Sequence, residues 1–95
     1  MDLHKILEVV SSETNTNLSD LMSASRKRKI VEARFLFFFF SIYLTDKSCN
    51  EIGGFLNRRH NTALHGGKKA VELKKYHKDF LKKFTNVNEK LNLNT

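Results

Sequence analysis

Leu3, Ile6, Leu7 and Val10 recur at i, i+3, i+4 and i+7, which places them in one stripe on a helix of 3.6 residues per turn. That stripe predicts a first helix, ending in the polar cluster from Ser11 to Asn17. A short helix is expected from Leu18 to Ser23, capped by Asn17, with Leu18, Leu21 and Met22 turned inward. A long helix follows from Ile30 to Leu44. Within it Phe37, Phe38, Phe39 and Phe40 advance by about 100° each and so face every direction, as a helix in the middle of a domain requires. In so small a chain some of these rings are expected to stay partly exposed, as a partner surface or for stacking on bases.

Ser48, Cys49, Asn50 and Glu51 have the form of a capping box, in which the end residues satisfy amides freed at a helix start. The helix they open is short, because Gly53-Gly54 falls inside it or near its end. Asn57, Arg58 and Arg59 form a polar turn. A further helix begins near His60, with Asn57 or Arg59 near its cap, and runs to about Lys75. Its polar side carries Asn61, His65, Lys68 and Glu72, and its inner side Ala63, Leu64, Gly67, Ala70 and Val71. A last amphipathic helix, His77 to Leu91, buries Phe80, Leu81, Phe84, Val87 and Leu91 and is otherwise rich in lysine. No stretch alternates apolar and polar residues cleanly, there is no proline, and there are only four glycines. The reading is all-α: one domain over residues 1–95, a small helical bundle with a helix-turn-helix at about residues 48–75.

Charge sharpens this picture. The formal net charge is +7, and residues 1–25 hold one lysine against four acids, so every excess cation lies beyond them. A surface of that kind suits a polyanion, of which nucleic acid is the commonest, or is simply well solvated. Cys49 is the only cysteine, which excludes a disulfide framework and suits a reducing cytoplasm. The acidic, amphipathic amino terminus is unlike a signal peptide. The apolar run from Phe35 to Leu44 is too short for a bilayer, which needs about 20 residues. No acid pair, Ser/His/Asp set or Cys/His set stands out, so neither an enzyme nor a small-molecule substrate is expected. His60 and His65 do not share a helical face and have no cysteine pair beside them, so neither a metal nor another cofactor is expected. His4 and His77 read as surface residues.

The second of two helices across a tight turn opens with Arg-Arg-His-Asn-Thr, as a helix-turn-helix recognition helix should. Arginine forks onto guanine and asparagine onto adenine, while threonine offers a hydroxyl and a methyl for thymine. The helix start adds free amides that favour phosphate.

Thr45-x-x-Ser48-x-x-Glu51-Ile52-Gly53, then Arg58-x-His60-x-Thr62-x-Leu64-His65, resembles the signature of the DnaA carboxy-terminal DNA-binding domain. Upstream, Leu18-Ser19-Asp20-Leu21-Met22-Ser23, Arg26-Lys27-Arg28 and Ala33-Arg34 match in order and spacing, so the resemblance covers roughly Ile6 to Leu73. It implies a bundle around a helix-turn-helix of Trp-repressor-like kind. It further implies recognition of the DnaA box, a short A·T-rich duplex, in replication origin recognition or its regulation. The partner would be double-stranded DNA, with other replication proteins as a further class, in the cytoplasm at the nucleoid. On this resemblance Arg26 enters the minor groove, and Arg58, Arg59, His60, Asn61 and Thr62 join it as base-reading residues. Lys27, Arg28, Lys29, Arg34, Lys47, Ser48, His65 and Lys68 are the phosphate-contacting set. Cys49 is a small packed residue whose place in the family pattern also suits a thymine methyl. Lys74, Lys75, Lys78, Lys82 and Lys83 form a solvated face that can assist at phosphates.

The departures are specific. Arg59 stands where the signature has aspartate and Asn61 where it has threonine, which replaces an acceptor for cytosine with a cation suited to guanine or phosphate. The turn is one residue shorter, with Asn57 in place of Gly-Gly. Gly66-Gly67 should weaken its helix by about 1 kcal/mol per glycine relative to alanine, offset by close packing against the preceding helix. No glycine loop with Gly-Lys-Ser/Thr occurs in these residues, so they do not bind ATP by that means; the stretch is either an excised domain or a free-standing relative. Two rival readings keep the same fold: a protein-interaction module that modulates a host initiator, and a transcriptional repressor.

Overall fold

The polar cluster after Val10 does not end the first helix. In the computed structural model, which describes residues 1–93, α1 runs over Leu3–Thr14. Asp2 opens it by accepting from the Lys5 amide at 2.8 Å. At the far end Asn15 adopts a left-handed conformation (φ 53°), which asparagine tolerates, and Thr16 N–H reaches back to the Ser11 carbonyl at 3.0 Å. The Thr14 hydroxyl donates to the Val10 carbonyl at 2.6 Å and lies 2.8 Å from the Thr16 hydroxyl. These polar side chains close the last turn on themselves, so they extend the helix where their composition predicted a break.

Five more helices follow: α2 (Leu18–Met22), α3 (Arg28–Leu44), α4 (Cys49–Phe55), α5 (His60–Tyr76) and α6 (Lys78–Leu93). No strand occurs among the described residues, so the protein is all-α. α3 is the axis of the bundle and packs against all five others. Ile30, Ala33, Leu36, Phe37, Phe38 and Phe40 are buried along it. Phe39 is half-buried, and its ring packs on Phe84 at 4.9 Å and Tyr43 at 4.5 Å between centroids. Lys74 Nζ lies 4.6 Å from the centre of the Phe84 ring and 5.8 Å from that of Phe39. Three of the four phenylalanines are thus core, and Phe39 keeps part of its ring exposed, as expected of so small a chain.

α5 lies on α3 through small residues. Ala63, Gly66, Gly67 and Ala70 form its buried stripe. A Cβ on Gly66 would overlap the Phe38 ring, and one on Gly67 would sit 3.0 Å from Ile42 Cδ1. The close packing expected of these glycines thus falls on α3 and not on α4, the helix before. It also turns Leu64 outward, 44% exposed, and leaves Val71 half-buried, because glycine and alanine already fill the line of closest approach. Leu18 and Met22 are likewise exposed on the short α2, where only Leu21 is buried, and so is Leu81 on α6. α6 closes the core with Phe80, Phe84, Val87 and Leu91. No described helix is long and apolar enough to cross a membrane.

Candidate nucleic-acid interface

The α4–α5 unit is built from its caps. Ser48 Oγ accepts from the Glu51 amide at 3.2 Å and lies 3.4 Å from the Glu51 carboxylate, which fixes the start of α4. At its end Asn57 takes the left-handed conformation (φ 59°). Asn57 N–H then bonds the Gly54 carbonyl at 3.0 Å and Arg58 N–H the Gly53 carbonyl at 2.7 Å, two nested bonds that turn the chain sharply. The turn folds so far back that a Cβ on Gly53 would lie 2.7 Å from the Arg59 carbonyl oxygen. Only glycine fits there.

α5 opens on Arg59, extended at φ −84° and ψ 162°, whose carbonyl accepts from Thr62 N–H at 3.1 Å. Arg59, His60, Asn61 and Thr62 are all exposed around this opening, and His65 and Lys68 are exposed further along the helix. Free amides and the positive end of a 17-residue helix point the same way. Lys47 and Ser48 are exposed at the start of α4, with Lys47 Nζ 3.9 Å from the Glu51 carboxylate.

The basic loop before α3 is ordered by its own hydroxyls. Ser23 Oγ donates to the Asp20 carbonyl at 2.7 Å and accepts from Ser25 N–H at 3.1 Å, and Ser25 Oγ accepts from Lys27 N–H at 3.3 Å. Arg26, Lys27, Arg28 and Lys29 all stay exposed. Arg28 Nε bonds Glu32 at 2.8 Å, and that hydrogen bond and charge hold its pKa above the ordinary arginine value. Beyond it a cleft of about 440 Å³ is lined by Arg28, Lys29, His77, Lys78 and Lys83, with Glu32 and Asp79 among them.

Two members of the expected site turn inward. Arg34, assigned to phosphate, is only 6% exposed. Its Nε donates to the Leu21 carbonyl at 2.8 Å, Nη1 to Ser25 at 2.7 Å, and Nη2 to Asp20 at 3.0 Å and Ser23 at 2.6 Å. A guanidinium satisfied by four carbonyls has no reach left for a phosphate, so Arg34 leaves the contact set and becomes the pin of the loop. Burial, and then the charge of Arg58, lower its pKa. Arg58, assigned to bases, is half-buried and donates from Nη1 to the Leu56 carbonyl at 2.9 Å and from Nη2 to the Ser23 carbonyl. Both hydrogen bonds lie within the protein and hold this guanidinium against the basic loop. Sequence reasoning missed the Ser23 carbonyl, on which both arginines converge. The available signal was the stripe Ile30, Ala33, Arg34, Phe37, which puts Arg34 on a buried line of α3.

Among the described residues no three His, Cys, Asp or Glu side chains are grouped to hold a metal ion. Residues 3–70 match the family described as bacterial DnaA protein helix-turn-helix. The chromosomal replication initiator protein DnaA of Campylobacter concisus is 33% identical over 92 residues, 96% of this chain and 21% of that protein. The DnaA of Flavobacterium psychrophilum is 38% identical over 89 residues, 93% of this chain and 19% of that protein. That of Campylobacter curvus is 38% identical over 74 residues, 77% and 17% respectively. The chain thus spans about a fifth of the length of these relatives.

Proposed function

The chain belongs to the bacterial DnaA helix-turn-helix family, and from that premise we propose that it reads double-stranded DNA at a site akin to the DnaA box. The observation that carries this reading is the exposed opening of α5. Arg59, His60, Asn61 and Thr62 crowd a helix start that has a tight turn behind it and the ordered, exposed cations Arg26 to Lys29 on a neighbouring loop. A recognition helix needs its first turn free for base edges, and a minor-groove arm needs a basic loop beside it. Phosphate contacts fall to Lys27, Arg28, Lys29, Lys47, Ser48, His65 and Lys68, all exposed. The role is recognition and not catalysis. We assign it to replication origins or their regulation because the relatives are replication initiators. It would be exercised in the cytoplasm, at the nucleoid.

Selection of bound sequences from a random duplex pool tests this directly. The expected result is an enriched A·T-rich motif with defined bases where α5 enters the major groove. A pool that stays random while binding persists would reduce the reading to charge-driven attachment. Failure to retain duplex at low salt, with tight capture of an initiator protein, would replace it with the interaction-module reading.

A further inference from the structure

The contact between Arg58 and Ser23 joins residues 35 apart in the chain, one on each DNA-facing part of the proposed interface. Ser23 lies three residues before Arg26, and Arg58 two residues before His60, the first residue of α5. The planar guanidinium of Arg58 holds both ends at once, with Leu56 in its own turn at 2.9 Å and Ser23 in the basic loop. Because the fork is rigid, it fixes the separation of two carbonyls as a single ammonium cannot. Arg34 grips the same loop from α3, so Ser23 is held from two sides. Past Ser25, which Arg34 also holds, Arg26 and Lys27 are exposed.

We infer that Arg58 is a positioning residue that sets the spacing between the Arg26 arm and the opening of α5 through the Ser23 carbonyl. The inference rests on the duplex-reading function proposed above. Minor-groove and major-groove readers gain from one another only if they meet the duplex in a fixed relation; a loose arm must be ordered on binding, which costs affinity. Arg34 and Arg58 also meet on that carbonyl as like charges, which after burial is the second cause that lowers the Arg34 pKa.

A double-mutant cycle tests this, because residues acting as a unit give non-additive effects. Arg58→Lys keeps the charge and loses the fork. On the selected duplex, Arg26→Ala in the unmodified protein is expected to weaken binding about tenfold or more, as loss of a base contact does. In the Arg58→Lys background the same change is expected to cost about twofold or less, because the arm is no longer aimed. Equal factors in both backgrounds would overturn the inference and leave duplex reading intact. A change in base preference confined to the positions faced by Arg59 to Thr62 would overturn it too, by making Arg58 a reader. Absence of duplex binding in the unmodified protein would instead remove the function on which the inference rests. Amide hydrogen exchange is the second measurement if Arg58→Lys lowers stability. Faster exchange over residues 23–27, with α1 and α6 unchanged, supports the tie. A uniform increase overturns it.

Discussion

Arg34 and Arg58 meet on one atom, the carbonyl oxygen of Ser23, the first reaching it from α3 and the second from the turn before α5. Two of the cations that the sequence assigns to DNA thereby make hydrogen bonds within the protein. What they hold is the basic loop, whose own hydroxyl bonds through Ser23 and Ser25 shape it but tie it only to the end of α2. The exposed part of the interface is correspondingly narrower: the loop Arg26 to Lys29, the start of α4, and the outer face of α5.

Arg34 should accordingly behave as a stability residue. Arg34→Ala removes four hydrogen bonds to carbonyls, of which only those of Asp20 and Ser23 keep another donor, and is expected to cost about 2–4 kcal/mol, a large share of a small domain's stability. Chemical denaturation measures this. A phosphate-contacting arginine would instead show an unchanged midpoint and weakened duplex binding.

The glycines predict opposite signs for one kind of substitution. Gly54 lies inside α4 with nothing within 4 Å of an added Cβ, so Gly54→Ala should stabilise by about 0.5–1 kcal/mol through reduced chain entropy. Gly66→Ala gains the same propensity but drives a methyl into Phe38, and overpacking of a core costs about 1–3 kcal/mol, so the net effect should be destabilising. Thermal melting of the two variants gives the comparison. A stabilised Gly66→Ala protein would mean that Phe38 can move aside.

The pair also shows what was legible from the chain. The helices and their order follow from hydrophobic spacing, and the Ser48 cap and the turn at Asn57 from local chemistry, because those signals act within a few residues. What eluded it depends on a second element. The stripe Ala63, Gly66, Gly67, Ala70 is defined by the bulk of Phe38 and Ile42 opposite, so Leu64, expected inside, is exposed and Val71 is only half-buried. The inward arginines are the same case. A buried guanidinium reads as a surface cation until the carbonyls that receive it, up to 35 residues away, are brought near. Arg59 to Thr62 are exposed because a helix opening after a tight turn is exposed whatever packs behind it.

Salt dependence separates the remaining cations. Each neutralised phosphate lowers log K by about 0.9 per unit of log salt. Lys29→Ala, in the exposed first turn of α3, should reduce the slope by about one phosphate and leave the ranking of duplexes unchanged. Arg34→Ala, judged on the folded fraction, should leave the slope where it was. Titrations at several salt concentrations give both numbers, and an equal loss of slope in the two variants would return Arg34 to the phosphate set.

On the proposed duplex-reading function, specificity is expected to turn on Arg59 and Asn61, exposed on either side of His60 at the opening of α5. The family signature has aspartate and threonine at these two positions. An aspartate accepts from cytosine N4, whereas Arg59 prefers the two acceptors of guanine; a threonine is permissive, whereas Asn61 forks onto adenine. A good bidentate contact is worth about 1–3 kcal/mol of discrimination, so the two changes together can lower affinity for a standard DnaA box tenfold or far more. The expected site is therefore a related but altered box, with guanine favoured where the family's aspartate would meet cytosine. Arg59→Asp with Asn61→Thr should shift preference back toward the standard box. Asn57 in the left-handed conformation sets the angle at which α5 leaves the turn, so the shift in preference is expected to be partial. The decisive measurement is the base preference of the unmodified protein. Binding to the standard box as tight as to any selected variant would end the altered-box prediction, and would place Arg59 and Asn61 against phosphate or water.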